Sequence, residues 1–209
     1  MGCVVLLSGG VDSIVCAEMA RAAGELRGVV FVDYGHPAQT LEGWKAFAYH
    51  GKTGAPLRVV HAFGLHLAEM AGTSADSPRV VPARNLLLIA AAANHAADLG
   101  ATEVWIGANA ADDADYPDCR TAWIDALSAV VRSAYGVTIQ APLAGMTKRE
   151  IVDRARALGV HQSDTTACYQ PHNDGTPCGV CASCRCAGAA WDDNPGVGAT
   201  PDGRAKEAS

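Results

Sequence analysis

Val4-Val5-Leu6-Leu7-Ser8-Gly9-Gly10-Val11-Asp12-Ser13-Ile14-Val15 is the stretch on which the fold turns. Gly2–Leu7 is an apolar run of buried-strand length that stops at two adjacent glycines. From Asp12 to Ala23 apolar residues return at helical offsets, among them Ile14, Val15 and Met19, and Gly24 closes the pattern. A strand that turns through glycines into a helix leaves backbone N–H groups free and adds the helix's partial positive charge at the turn. Ser8–Ser13 is therefore a candidate phosphate cradle, with the Ser8 and Ser13 hydroxyls as further donors. It is not a Walker A loop, because the Gly-Lys-Ser/Thr ending is absent. A tight turn with an Asp or Ser cap is the structural alternative.

Outward from this stretch, strands are expected at Gly28–Asp33, Leu57–His61, Glu103–Ala108 and Val137–Gln140. Helices are expected at Thr40–Gly51, at Arg84–Leu99 and through Trp123, Leu127 and Val130. Arg84–Leu99 is apolar nearly all round, so deep burial is expected of it. Short apolar strands alternating with helices predict an α/β protein: a parallel five-stranded sheet with helices on both faces, spanning residues 1–160. Such sheets bind ligands at the carboxyl ends of their strands. The polar clusters Ser8–Ser13, Asp33–Pro37 and Asn109–Arg120 fall there, the last read as a loop from Asn109 to Asp118. Thr147-Lys148-Arg149-Glu150 has the spacing of a capping box before a helix carrying Ile151, Ala155 and Leu158. Residues 161–191 form a small Cys-rich segment with little periodicity, and residues 192–209 read as a disordered tail.

The balance of 16 Lys+Arg against 22 Asp+Glu gives −6, so a field for a nucleic-acid backbone is lacking and no nucleic-acid partner is expected. The longest apolar stretch, Leu86–Ala93, is too short to span a bilayer, and the N-terminus lacks the basic region of a signal peptide. A cytoplasmic protein with no membrane contact is the expectation.

Eight cysteines without a secretion signal argue against a disulfide framework. Five crowd together, and Cys168-x9-Cys178-x2-Cys181-x2-Cys184 offers four thiolates with the spacing of a closed tetrahedral Zn²⁺ site. Such a set leaves no open coordination position, so its role is structural, replacing a core the segment cannot build. An iron–sulfur cluster can use the same ligands. Spacing alone also allows Cys186 in place of Cys184.

The hexapeptide Ser8-Gly9-Gly10-Val11-Asp12-Ser13 resembles the signature of the PP-loop ATP pyrophosphatases. Further segments are similar to the 7-cyano-7-deazaguanine synthase family (queuosine biosynthesis). They are Asp33-Tyr34-Gly35, Val81-Pro82-Ala83-Arg84-Asn85, Gly107-Ala108-Asn109, Tyr116-Pro117-Asp118-Cys119-Arg120, Ala141-Pro142-Leu143, Thr147-Lys148, Cys168-Tyr169 and Pro177–Cys184, all in the family's order.

This resemblance implies the adenine-nucleotide alpha-hydrolase-like (HUP) fold and an ATP-dependent ligase forming carbon–nitrogen bonds. It would convert 7-carboxy-7-deazaguanine and ammonia to the nitrile through adenylated intermediates and an amide, with ATP, Mg²⁺ and structural Zn²⁺. The resemblance also implies a homodimer. It assigns ATP phosphates to Leu7, Ser8, Gly9, Gly10, Val11, Asp12 and Ser13, with Asp12, Arg84 and Lys148 as the catalytic set. Tyr34, Asn85, Asp115, Tyr116, Asp118 and Arg120 are the expected substrate residues, Asp118 as acceptor for the ring's N–H donors and Tyr34 or Tyr116 as a stacking face. Tyr116-Pro117-Asp118 is equally a turn and helix start. Lys148 in a first helical turn opposes the helix dipole, which favours an anion nearby. Two departures fall where substrate should sit: His36-Pro37-Ala38 where the family has Gln-Arg-His, and Asp113-Ala114-Asp115 where a Ser-Gly pair is usual. His36 replaces a polar substrate contact or merely fills space. Two rival functions follow: adenylation of another carboxylate or carbonyl (a protein terminus, a tRNA base, another deazapurine), and a non-catalytic zinc module for nucleic acid.

Overall fold

The computed structural model of the protein describes residues 2–62 and 81–192. Five strands form one sheet in the order β3-β2-β1-β4-β5: β1 (Cys3–Leu6), β2 (Leu26–Asp33), β3 (Leu57–His61), β4 (Glu103–Trp105) and β5 (Thr138–Gln140). All neighbouring pairs are parallel. The expected strands are all present, the fourth ending three residues early. Even there Ile106 N–H donates to the Gln140 carbonyl at 2.9 Å, so the pairing outlasts the strand.

Two cores separate along the period of two that a strand imposes. Cys3, Val5 and Leu7 join Val29 and Phe31 under helices α1 (Val11–Ala22), α2 (Gln39–Thr53) and α6 (Lys148–Ala157). On the opposite face Val4, Val30, Val104 and Ile139 pack under α3 (Arg84–Asp98) and α5 (Thr121–Tyr135). Each apolar strand is thus covered on both sides, as parallel sheets require.

Three expectations need correction. α3 is not deeply buried: Ile89, Ala92, Ala93 and Ala96 face the sheet at i, i+3, i+4 and i+7, while Leu86 is 45% exposed. Alanine carries too little apolar surface to force the outer face inward. The stretch read as a loop from Asn109 to Asp118 contains α4 (Ala110–Asp115) and a 3₁₀ turn at Pro117–Cys119. Asn109 caps α4 by accepting from the Ala111 and Asp112 N–H groups, and the Asp112 side chain reaches back. The Cys-rich segment, read as having little periodicity, ends in a ten-residue helix, α7 (Ala182–Trp191), started by Cys181, whose thiol accepts from Cys184 N–H.

α7 is tied to α6. Arg149 donates to the carbonyls of Ala190 at 2.7 Å and Asp192 at 2.5 Å, and Arg156 donates to the Trp191 carbonyl and covers its ring. The expected tail lies outside the described residues from position 193 onward.

Candidate active site and metal centre

Strand order reverses direction around β1, which has β2 on one side and β4 on the other. The crevice opens at the carboxyl ends of these strands. A cavity of about 310 Å³ lies there, walled by the cradle, by the ends of β2 and β4, and by the starts of α3 and α4.

The cradle is shaped by two glycines. Gly9 has φ +75°, and a Cβ there would stand 2.7 Å from Lys45 Cβ and 3.0 Å from the Glu42 carbonyl. Gly107, after β4, lets the first turn of α1 sit against it: a Cβ would meet Ser13 N at 2.9 Å. Ser13 Oγ accepts from Ser8 N–H at 3.2 Å and donates to the Gly10 carbonyl at 2.9 Å. Gly10 begins α1 with no side-chain cap of its own. The loop thus closes with its glycine backbone and a helix start beside the cavity, an arrangement suited to anions.

Lys148, the first residue of α6, donates to Asp12 Oδ2 at 2.6 Å across 136 positions of sequence. The capping box expected at Thr147 and Glu150 is present and fixes the helix start that delivers this lysine. Burial works against the Lys148 charge, but Asp12 beside it outweighs burial and the ammonium is held above its ordinary range. Asp12 Oδ1 is buried with no hydrogen-bond partner among the described residues. An orphaned carboxylate oxygen beside a candidate phosphate cradle fits a hard cation such as Mg²⁺.

Arg84 opens α3, preceded by Ala83 in a left-handed conformation (φ 59°) that L-residues adopt at a cost. Its guanidinium lies 5.8 Å from the centre of the Tyr116 ring. Burial opposes its charge, and Tyr34 and Asp118 nearby more than offset that. Arg84, Asn85, Tyr34 and Tyr116 all line the cavity.

Asp118 and Arg120 stand elsewhere. Asp118 Oδ2 accepts from Asn85 N–H at 3.3 Å, and its carbonyl accepts from Asn85 Nδ2, so Asp118 caps α3. Arg120 is exposed at the start of α5. Neither lines the cavity. Asp115 ends α4, and its side chain lies outside the described ones. His36 is buried, stacked on Tyr34 with ring centres 4.2 Å apart, and its Nε2 is 2.9 Å from Glu42 Oε2. It fills space behind the cavity wall rather than facing into it.

The sequence reading passed over Asp112, which lines the cavity with its Oδ2 accepting from Asn109 N–H and Nδ2. Burial first, then the charge of Asp12, push its carboxyl up to about 6. The Asn-x-x-Asp capping box was the signal that could have found it. Cys119 also lines the cavity, but burial and the charges of Asp112 and Asp118 push its thiol up to about 12, which removes it as a nucleophile near neutral pH. Tyr169, the neighbour of Cys168, forms another part of the wall.

Cys168, Cys178, Cys181 and Cys184 bring their sulfurs within 4.8 Å of one another. Cys186 is exposed and outside the group, which decides between it and Cys184. Four converging thiols, two of them buried, fit a soft tetrahedral ion.

Comparison with known proteins agrees with this architecture. Two solved structures share the fold: the U34-tRNA thiolase NcsA from Methanococcus maripaludis, whose structure includes its [4Fe-4S] cluster, and NMN synthetase from Francisella tularensis. The first has TM-score 0.53 and 17% identity, covering 78% of this chain and 59% of that one. The second has TM-score 0.50 and 18% identity, covering 85% and 68%. Among curated relatives, the 7-cyano-7-deazaguanine synthase of Azoarcus sp. (strain BH72) is 35% identical over 214 residues, covering 87% of this chain and 88% of the relative. That of Pelobacter propionicus is 38% identical over 203 residues, covering 87% and 89%. With the family model "Queuosine biosynthesis protein QueC" matching residues 2–194, and a cradle, cavity and four-cysteine cluster built from the segments that carry the likeness, the chain belongs to the QueC family of 7-cyano-7-deazaguanine synthases.

Proposed function

We propose that the protein converts 7-carboxy-7-deazaguanine and ammonia to 7-cyano-7-deazaguanine at the expense of ATP. The observation that carries this reading is that Leu7, Ser8, Asp12 and Ser13 of the cradle line one cavity with Arg84, while Lys148 is bonded to Asp12 on its wall. A carboxylate is a poor electrophile, so its oxygen must first be joined to the α-phosphorus of ATP with release of pyrophosphate. Leu7–Ser13 holds the phosphates through backbone N–H groups, and Lys148 and Arg84 neutralise the charge that grows in transfer. Asp12 orients Lys148. Asp12, whose Oδ1 is buried without a hydrogen-bond partner among the described residues, would hold Mg²⁺, which would supply positive charge to the phosphate oxygens. Ammonia then displaces AMP to give the amide. A second adenylation, on the amide oxygen, lets the C–O bond break as nitrogen loses its two protons and the nitrile forms. Tyr34, Asn85 and Tyr116 supply the ring contacts, and the four thiolates hold one structural Zn²⁺.

A second reading, adenylation of a different carboxylate or carbonyl, draws support from Asp118, which caps α3 instead of facing the cavity. Incubation with ATP, Mg²⁺, ammonium and the deazaguanine acid, read by product mass, separates the two. Nitrile is the expected product; ATP binding with neither amide nor nitrile overturns the first reading. The reading carries no nucleic-acid partner, given the charge of −6. It includes a homodimer, for which Val130 and Tyr135 on the outer face of α5 offer exposed apolar surface, and light scattering reads the mass.

A further inference from the structure

The segment between the end of the β-sheet domain and the cysteine cluster does more than connect them. Thr166 N–H donates to the carbonyl of Gly9 at 2.9 Å, so the segment is bonded to the cradle at its one left-handed glycine. The Thr166 carbonyl stands 3.6 Å from where a Cβ on Gly10 would be. Thr166 is 7% exposed, and its hydroxyl has no partner among the described residues. Two residues on, Cys168 belongs to the thiol cluster, and Tyr169 lines the cavity. Leu41, from α2, packs on Cys168 and Cys181, so the cluster also rests on the helix whose Lys45 abuts Gly9. Cys178 N–H donates to Cys168 Sγ at 3.2 Å, and α7 is held to α6 by Arg149 and Arg156. The strap is thus pinned at the cradle, at the cluster and, through α7, at the helix carrying Lys148.

We infer that the four-cysteine centre is a positioning device for the nucleotide site, fixing residues 165–169 so that Thr166 clamps the phosphate loop and Tyr169 completes the cavity wall. Without a metal, the four thiols are held by weak hydrogen bonds and by the packing of Leu41 on Cys168 and Cys181, with no bond joining all four. A bound Zn²⁺ joins all four and fixes Cys168, hence its neighbours on both sides. Thr166 and Tyr169 are then positioning and binding residues: the first supports the cradle, and the second offers an aromatic face to a purine ring.

This inference rests on the proposal that the cradle holds ATP, and the experiment separates the two. ATP affinity is measured calorimetrically on protein with its metal, after removal by a chelator, and after Zn²⁺ is returned, with metal content and far-ultraviolet circular dichroism recorded each time. Metal-loaded protein that fails to bind ATP overturns the proposed function. Loaded protein that binds, with a folded stripped form at least about tenfold weaker and recovery on adding Zn²⁺, is the expected result, as for loss of a pre-organised contact. A folded stripped form that binds equally well overturns the inference. Should the stripped form unfold, Tyr169→Ala and Thr166→Pro decide, the latter removing the N–H donated to Gly9. Each is expected to keep one metal per chain and lose about tenfold in affinity for ATP or for the deazaguanine acid, a magnitude usual for a stacking contact. Tyr169→Phe should restore binding. Variants that keep both metal and affinity overturn the inference.

Discussion

Asp112 shows how far one side chain can be pushed by its surroundings. It carries a proton up to about pH 6, against an ordinary value of 3.8, because it is buried and because Asp12 is charged nearby. Lys148 and Arg84 pull the other way without cancelling these effects. A carboxyl raised in the folded state destabilises the fold only where it must ionise. The cost is absent below the unfolded value, grows between 3.8 and about 6, and is complete above that. Asp112→Asn should therefore raise stability at pH 7 by up to about 3 kcal/mol, with the gain fading as pH falls through 6 towards 4, read by urea denaturation across pH. A gain that does not depend on pH would show that packing, not charge, is responsible. At Lys148 the expected outcome is kinetic. Lys148→Met should cost about 10²–10³-fold in turnover, with metal content unchanged, as for loss of one group that stabilises developing charge. Asp12→Asn, which leaves Lys148 without its carboxylate, should lower turnover as far.

The elements differ in how plainly their sequences announced them. Strands covered on both faces must be apolar throughout, so Val4–Leu7 and Val29–Val32 were legible without any partner in view. Gly9 and Gly10 between strand and helix made the turn legible, and at Gly9 only glycine allows Lys45 so close. α4 was missed because six residues with three acids show no apolar stripe, and its stability comes from Asn109 and Asp112 at its start. α7 was missed because a cysteine thiol, in place of Ser or Asp, accepts the first-turn N–H, and its composition of Cys, Gly and Ala carries little periodicity. The place of Asp118 at the start of α3 was not legible, because a carboxylate in a polar cluster serves a cap and a ligand equally well, and only the position of α3 decides. The capping box of α6 gives the prediction at this scale. Thr147→Ala should cost about 1 kcal/mol of stability. Because the same turn carries Lys148, turnover should fall further than stability explains, measured on the variant at temperatures where it is fully folded.

At the scale of the whole molecule, the four-cysteine cluster is tied to the sheet through α7, whose Ala190 joins the core under α1 and α6 and whose end is bonded to Arg149 and Arg156. Metal analysis should return one zinc per chain; iron with acid-labile sulfide would overturn the zinc assignment. Removing the metal should lower Tm by roughly 5–10 °C while most helical signal persists, because the two cores flanking the sheet contain none of the four ligands. Loss of the whole far-ultraviolet signal on chelation would mean that the sheet depends on the metal. No helix among the described residues is long and apolar enough to cross a membrane.

The bond between Thr166 and Gly9 joins points 157 positions apart, and Lys148 reaches Asp12 across 136. The first strand leaves the ribosome before the other four, yet its cradle stays unfinished until the whole sheet has followed. A nascent chain therefore has no completed cradle to shelter behind while it is being made. It must gather its later segments before any ligand can help to hold it, and contacts so distant along the chain form slowly.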